Sequence, residues 1–201
     1  MTGINLVSGT PDLAALLAAG DIQGAIQLVM GNRVQLLDAQ LAQQIQAVQD
    51  RNDQISQLND LLSKLTAYEG GISGSDANST FKHDSSYTAD MIKQEAAVND
   101  AVKATGVDLG TGINSGQATG PNGTPVAGSS VTGGVDWTVT KGQLDAAITK
   151  VKGLIDTASN NQQMDMLRLQ SLNNKRDEAF DLLTNTQKSY HDTTSGIVRN
   201  F

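Results

Sequence analysis

The chain has 201 residues, of which 38% are apolar and only 3% aromatic, a composition that argues against a large rounded core. Its formal net charge of −7 argues against binding nucleic acid, which needs a basic stripe to neutralise phosphates. With no cysteine, it has neither a disulfide framework nor a thiolate metal site.

Residues 1–10 lack the basic start and unbroken apolar run of a signal peptide. The alanine-rich stretch at 13–19 is too short to span a bilayer. No integral membrane segment is therefore expected, and export would need another route. Thr10 as N-cap and Pro11 at the first helical position predict a short helix that stops near Gly20. Residues 1–20 thus form an N-terminal segment.

Asp21 caps the next expected helix, which occupies 21–69 and ends at Gly70 and Gly71. One heptad position in it is filled without a break by Val34, Leu41, Val48, Ile55 and Leu62, the pattern of a coiled-coil seam. The companion position reads Leu37, Gln44, Arg51, Leu58 and Leu65. The seam is therefore polar in its middle, with Ile45 placed to fill part of the gap. Such an interruption sets register and partner number at some cost in stability.

Residues 70–139 form a middle region rich in Gly, Ser, Thr and Asn. Within it a helix is expected over 88–104, capped by Ser86 or Thr88, with Met91, Ile92, Val98 and Val102 on its apolar face. The stretch 106–134 carries Gly every few residues and reads as loop or short irregular strand. Trp137, the single tryptophan, is placed to pin this loop to the long helices.

The last helix, within 140–201, starts at a capping box formed by Thr140 and Gln143 and is expected to run to about Ser195. Its stripe combines Ile148, Ile155, Gln162, Leu169, Arg176, Leu183, Tyr190 and Ile197 with Leu144, Val151, Ala158, Asp165, Leu172, Ala179, Thr186 and Thr193. Arg176 falls on the seam, so it must meet a carboxylate or face water, because a lone buried charge is costly. From 184 to 196 the helix is almost wholly polar apart from Tyr190, so it would fray unless a partner orders it. Each long helix reaches on the order of 70–80 Å at ~1.5 Å per residue. Packing them side by side is the economical arrangement.

The chemistry of an enzyme is missing from the pattern. His83 and His191 stand in polar stretches without catalytic partners. The run GTGINSG at 110–116 lacks the Gly-Lys-Ser/Thr ending of a phosphate loop and reads as linker. The Asn-initiated triplets at 78–80 and 122–124 are common by chance in such loops. Lys175, Arg176, Asp177 and Glu178 read mainly as a solvated face. No catalytic, cofactor or metal residue is assigned, and no cofactor is expected.

The segment MDMLRLQSLNNKRDEAF at 164–180 resembles the final helix of the EspA-like family of bacterial type III secretion filament and needle-tip proteins. The layout of two terminal helices around a Gly/Ser-rich middle is similar too, and implies that residues 70–139 are a variable, surface-exposed region. The resemblance implies an all-α fold of two long antiparallel helices forming a coiled coil, and assembly into a hollow helical filament that conducts effector proteins. It also implies secretion to the bacterial surface, with further copies of itself, the needle subunit and translocator proteins as partners. A cytoplasmic chaperone before export completes that expected set.

On that reading the seam comprises Val34, Leu41, Val48, Ile55, Leu62, Ile148, Val151, Ile155, Leu169, Leu172 and Leu183. Subunit-contact or channel-lining candidates are Arg176, Asn185, Gln187, Tyr190, Thr194 and Arg199. A ring-forming tip cap and a soluble coiled-coil adaptor are the competing expectations.

Overall fold

The structure, a computed structural model, describes residues 12–81, 89–113, 118–119, 125–126 and 131–199. Thr10, Pro11, His83, Ser86, Thr88, the end of the glycine-rich run at 114–116 and the triplet at 122–124 lie outside these residues, as do the side chains of Ile197 and Arg199. The described elements are α1 (Leu13–Ala18), α2 (Ile22–Glu69), α3 (Ala89–Thr105), β1 (Ala118–Thr119), β2 (Pro125–Val126) and α4 (Lys141–Arg199). The fold is all-α. Its described sheet is a single antiparallel ladder that pairs Ala118 with Val126 and Thr119 with Pro125.

Local chemistry explains the helix boundaries. The cap of α1 is Asp12, whose carboxylate accepts from the Ala14 N–H at 3.3 Å, so the helix starts later than the Thr10–Pro11 pair suggests. Gly20, at a φ of 73°, makes the left-handed turn that an L-residue resists. Asp21 then accepts from the Gly24 N–H at 2.8 Å and caps α2. At α4 the box is reciprocal: the Gln143 N–H donates to Thr140 Oγ1 at 3.2 Å, and the Thr140 N–H donates to Gln143 Oε1 at 2.9 Å. Two more orphan donors, the Lys141 and Gly142 N–H groups, reach the carbonyls of Ser79 and Ala77 at 2.8 Å each.

The chain forms two compact units, Met1–Ala47 with Asp165–Phe201, and Val48–Met164. Both long helices contribute to each. In the Val48–Met164 unit they run antiparallel: Asn52 pairs with Gln162 and Glu69 with Lys141. Here Leu58, Leu61, Leu65 and Tyr68 of α2 meet Val98, Ala101 and Val102 of α3 and Leu144, Ala147 and Val151 of α4. Tyr68 stacks against Phe81 with ring centroids 4.7 Å apart.

Ile72, Phe81, Leu109, Val135 and Val139 belong to the same core, and Trp137 packs against it half-buried. The middle stretch expected at the surface therefore supplies part of the core. The physical reason is that α3 and its flanking loops offer apolar side chains to a second face of α2. That face also explains why Leu58 and Leu65 are fully buried while the leading seam residues Ile55 and Leu62 are only half-buried.

The two ends of the glycine-rich stretch are tied together by backbone bonds. Leu109 N–H donates to Gly133 O, and Gly133 N–H to Ile113 O, both at 2.8 Å. Buried Asn99 closes the arrangement from α3: its Nδ2 donates to Val135 O at 2.9 Å and its Oδ1 accepts from Val135 N–H at 2.8 Å. The amide thus pairs with the loop as a second peptide group would.

In the other unit, α2 and α4 are again antiparallel, with Asp38 beside Arg176 and Gln44 beside Asp165. The buried apolar contact there is small: Val34, Leu37 and Ala179, with Leu172 packed beside them. No helix of the described residues is long and apolar enough to cross a membrane.

Candidate assembly surface

The stripe of α4 follows its heptads closely. Leu144, Ile148, Val151, Ala158, Asp165 and Ala179 are buried, while Ile155, Gln162, Leu169, Leu172, Arg176 and Leu183 are half-buried. On α2, Val34 is buried and Leu41 and Val48 are half-buried. Ile45 does not fill the polar gap; it is 43% exposed, because one residue past a seam position is about 100° further round the helix.

The polar breaks of the stripes meet each other. Gln44 Nε2 donates to Asp165 O and Oδ1 at 3.2 and 3.3 Å, and Arg168 lies 3.4 Å from the same carboxylate oxygen. Gln162 donates to Asn52 within the other unit. The seam cation Arg176 meets the carboxylate it needs on α2 of the same chain, with Nε 2.6 Å from Asp38 Oδ1. Sequence alone shows that Arg176 needs a partner; antiparallel register decides which one.

Beyond Leu183 the helix continues to Arg199 instead of ending near Ser195. Asn185, Thr186, Ser189, Tyr190 and Thr193 line a cavity of about 660 Å³ together with residues of the α1–α2 corner, among them Asp21, Ile22 and Ile26. The polar tail therefore has company from its own chain along this cavity. Asn185, Gln187, Tyr190 and Thr194 are exposed.

Large apolar side chains in contact with water are unevenly distributed. Of the fourteen exposed ones among the described residues, twelve belong to the Met1–Ala47 and Asp165–Phe201 unit. They include Leu17 at 56%, Ile22 at 65% and Leu167 at 64% exposure. Ile22, Val29 and Leu36 are spaced by seven, so α2 carries an unburied apolar row besides the one packed on α4. Charge is scarce on the same segment: from 22 to 49 only Arg33 and Asp38 are ionised. Sequence reasoning missed this second row, although its seven-residue spacing is visible in the sequence.

Among the described residues, no group of three His, Asp or Glu side chains is placed to hold a metal ion. The chain matches no known protein family, no curated protein and no solved structure.

Proposed function

We propose that this chain is a structural subunit that assembles with copies of itself into a secreted helical filament of the type III secretion kind. The observation that carries this reading is the concentration of exposed apolar side chains in one unit whose own buried core is small. An exposed apolar row such as Ile22, Val29 and Leu36, on a segment poor in charge, marks an interaction site on a soluble chain. The resemblance of 164–180 to the EspA-like family supplies the biological setting.

In this reading the antiparallel α2–α4 pair works as a coiled coil and forms the filament wall. Gln187 and Thr194, exposed and polar, face a wetted channel through which unfolded effector proteins pass without sticking. The needle subunit, translocators and a chaperone that shields the apolar rows before export are the partners it calls for.

Electron microscopy of the purified protein over a range of concentrations tests the proposal. Hollow tubes of uniform diameter are expected. Closed rings would replace the filament by a tip cap, and particles of constant small size at every concentration would replace it by a soluble adaptor.

A further inference from the structure

We propose that the Met1–Ala47 and Asp165–Phe201 unit opens in the free chain while the Val48–Met164 unit stays folded, and that association with further copies is what closes it. The closure rests on the self-assembly reading; the opening does not.

The two units hold very different amounts of buried apolar structure. Among the described residues, seventeen buried apolar side chains from α2, α3, α4 and the intervening loops form the core of the Val48–Met164 unit. In the other unit the cluster is Val34, Leu37 and Ala179, with Leu172 half-buried beside them, and Ala25 is buried outside it. No side chain of α1 is buried, and the groove between α1 and α2, lined by Leu17 and Ile22 among others, is open to water. From 181 to 195, α4 buries none either.

Helices in water are held chiefly by the face they bury, since propensity alone leaves even long ones marginal. Over 22–47 that support is slight, and two interior glycines, Gly24 and Gly31, weaken α2 in the same stretch. The ion pair between Arg176 and Asp38 is exposed on both sides and so contributes little. In the Val48–Met164 unit, by contrast, buried Asn99 is bonded twice to Val135, and the first turn of α4 is fixed by the carbonyls of Ala77 and Ser79. Those polar bonds are lost together or kept together.

Both long helices run through the two units without a break. A helix can melt from one end while the rest remains, because propagation and not nucleation governs its length. Opening therefore leaves the large core intact, and its free energy is set by the small cluster.

Closure follows from where the apolar surface lies. Twelve of the fourteen exposed large apolar side chains belong to the unit that opens, so surface covered between copies stabilises that unit most. Ordering then accompanies contact, and its entropy is subtracted from the association. Free chains consequently stay apart until their concentration is high.

The full chain at low concentration tests the opening. Trp137, the single tryptophan, packs against the Val48–Met164 core and reports on that unit, whereas about half of the helical residues belong to the other. In urea, circular dichroism should lose a large part of the helical signal before Trp137 fluorescence changes. Hydrogen exchange read by mass spectrometry should be at least about 100-fold faster over 22–47 and 165–195 than over 58–68, 98–102 and 144–151. Leu37→Ala should speed exchange in the first two segments only. Coincident urea transitions, or equal protection throughout, would overturn the opening.

Raising the concentration until copies associate tests the closure. Protection over 22–47 and 165–195 should then rise at least about tenfold, with the other segments unchanged. Association that leaves the difference between the units as it was would rule the closure out. A chain that stays monomeric at every concentration would overturn the self-assembly reading and the closure with it, while the opening is decided by the dilute chain alone.

Discussion

Gln44 and Asp165 face each other across α2 and α4, the amide nitrogen of Gln44 reaching both the main-chain and the side-chain oxygen of Asp165. The polar interruption in each apolar stripe is thereby answered by the interruption in the other. A buried carboxylate is tolerated when donors surround it and costly when one is removed. Gln44→Leu should therefore destabilise the chain by about 1–3 kcal/mol in urea unfolding. Gln44→Leu combined with Asp165→Leu should recover most of that loss, because the carboxylate left short of a donor is gone as well. Equal losses in the single and double variants would show that the pair does not govern stability at this level.

Asn99 should be the most sensitive polar position in the Val48–Met164 unit. It is fully buried, and its amide satisfies both the N–H and the carbonyl of Val135. Asn99→Leu orphans both groups and should cost about 2–4 kcal/mol, measured as a lower urea midpoint. Gly134→Ala should act in the same direction, since an added Cβ would collide with the Asn99 side-chain oxygen.

Alkaline pH should weaken the contact between the end of α2 and the start of α4. Lys141 Nζ lies 2.9 Å from Glu69 Oε1, and the hydrogen bond to that carboxylate, followed by its charge, raises the Lys141 pKa above 10.5. A cation with a raised folded pKa contributes stability that is complete below its unfolded pKa and disappears as pH climbs through the folded one. The melting temperature of wild type should therefore fall more steeply above about pH 10.4 than that of Glu69→Gln. Parallel curves would argue against the linkage.

Arg176 and Asp38 should contribute much less than their short distance suggests. Their side chains are 37% and 49% exposed, so water and salt screen the pair. A double-mutant cycle with Arg176→Ala and Asp38→Ala should give a coupling of about 0.2–1 kcal/mol that shrinks as salt is added. A coupling several times larger, unaffected by salt, would place the pair in a drier setting than its exposure indicates.

The sequence by itself determined the elements whose causes are local. The capping box of Thr140 and Gln143, the cap at Asp21, the helix expected over 88–104 and found over Ala89–Thr105, and the seven-residue stripe of α4 all depend on residues within a turn or two of each other. The need of Arg176 for a carboxylate was legible for the same reason, since its place on the seam follows from spacing alone.

Tertiary structure decided what depends on distant segments. Only the antiparallel register brings Asp38 to Arg176 and Gln44 to Asp165, because a heptad pattern states which face is apolar and not which residue of another helix lies opposite. Only α3 and the loops around it turn Leu61, Tyr68 and the 70–139 stretch into a core with Asn99 at its centre. The groove at Leu17 and Ile22 arises from the sharp turn at Gly20, which sets α1 beside the start of α2 and leaves their apolar faces open to water.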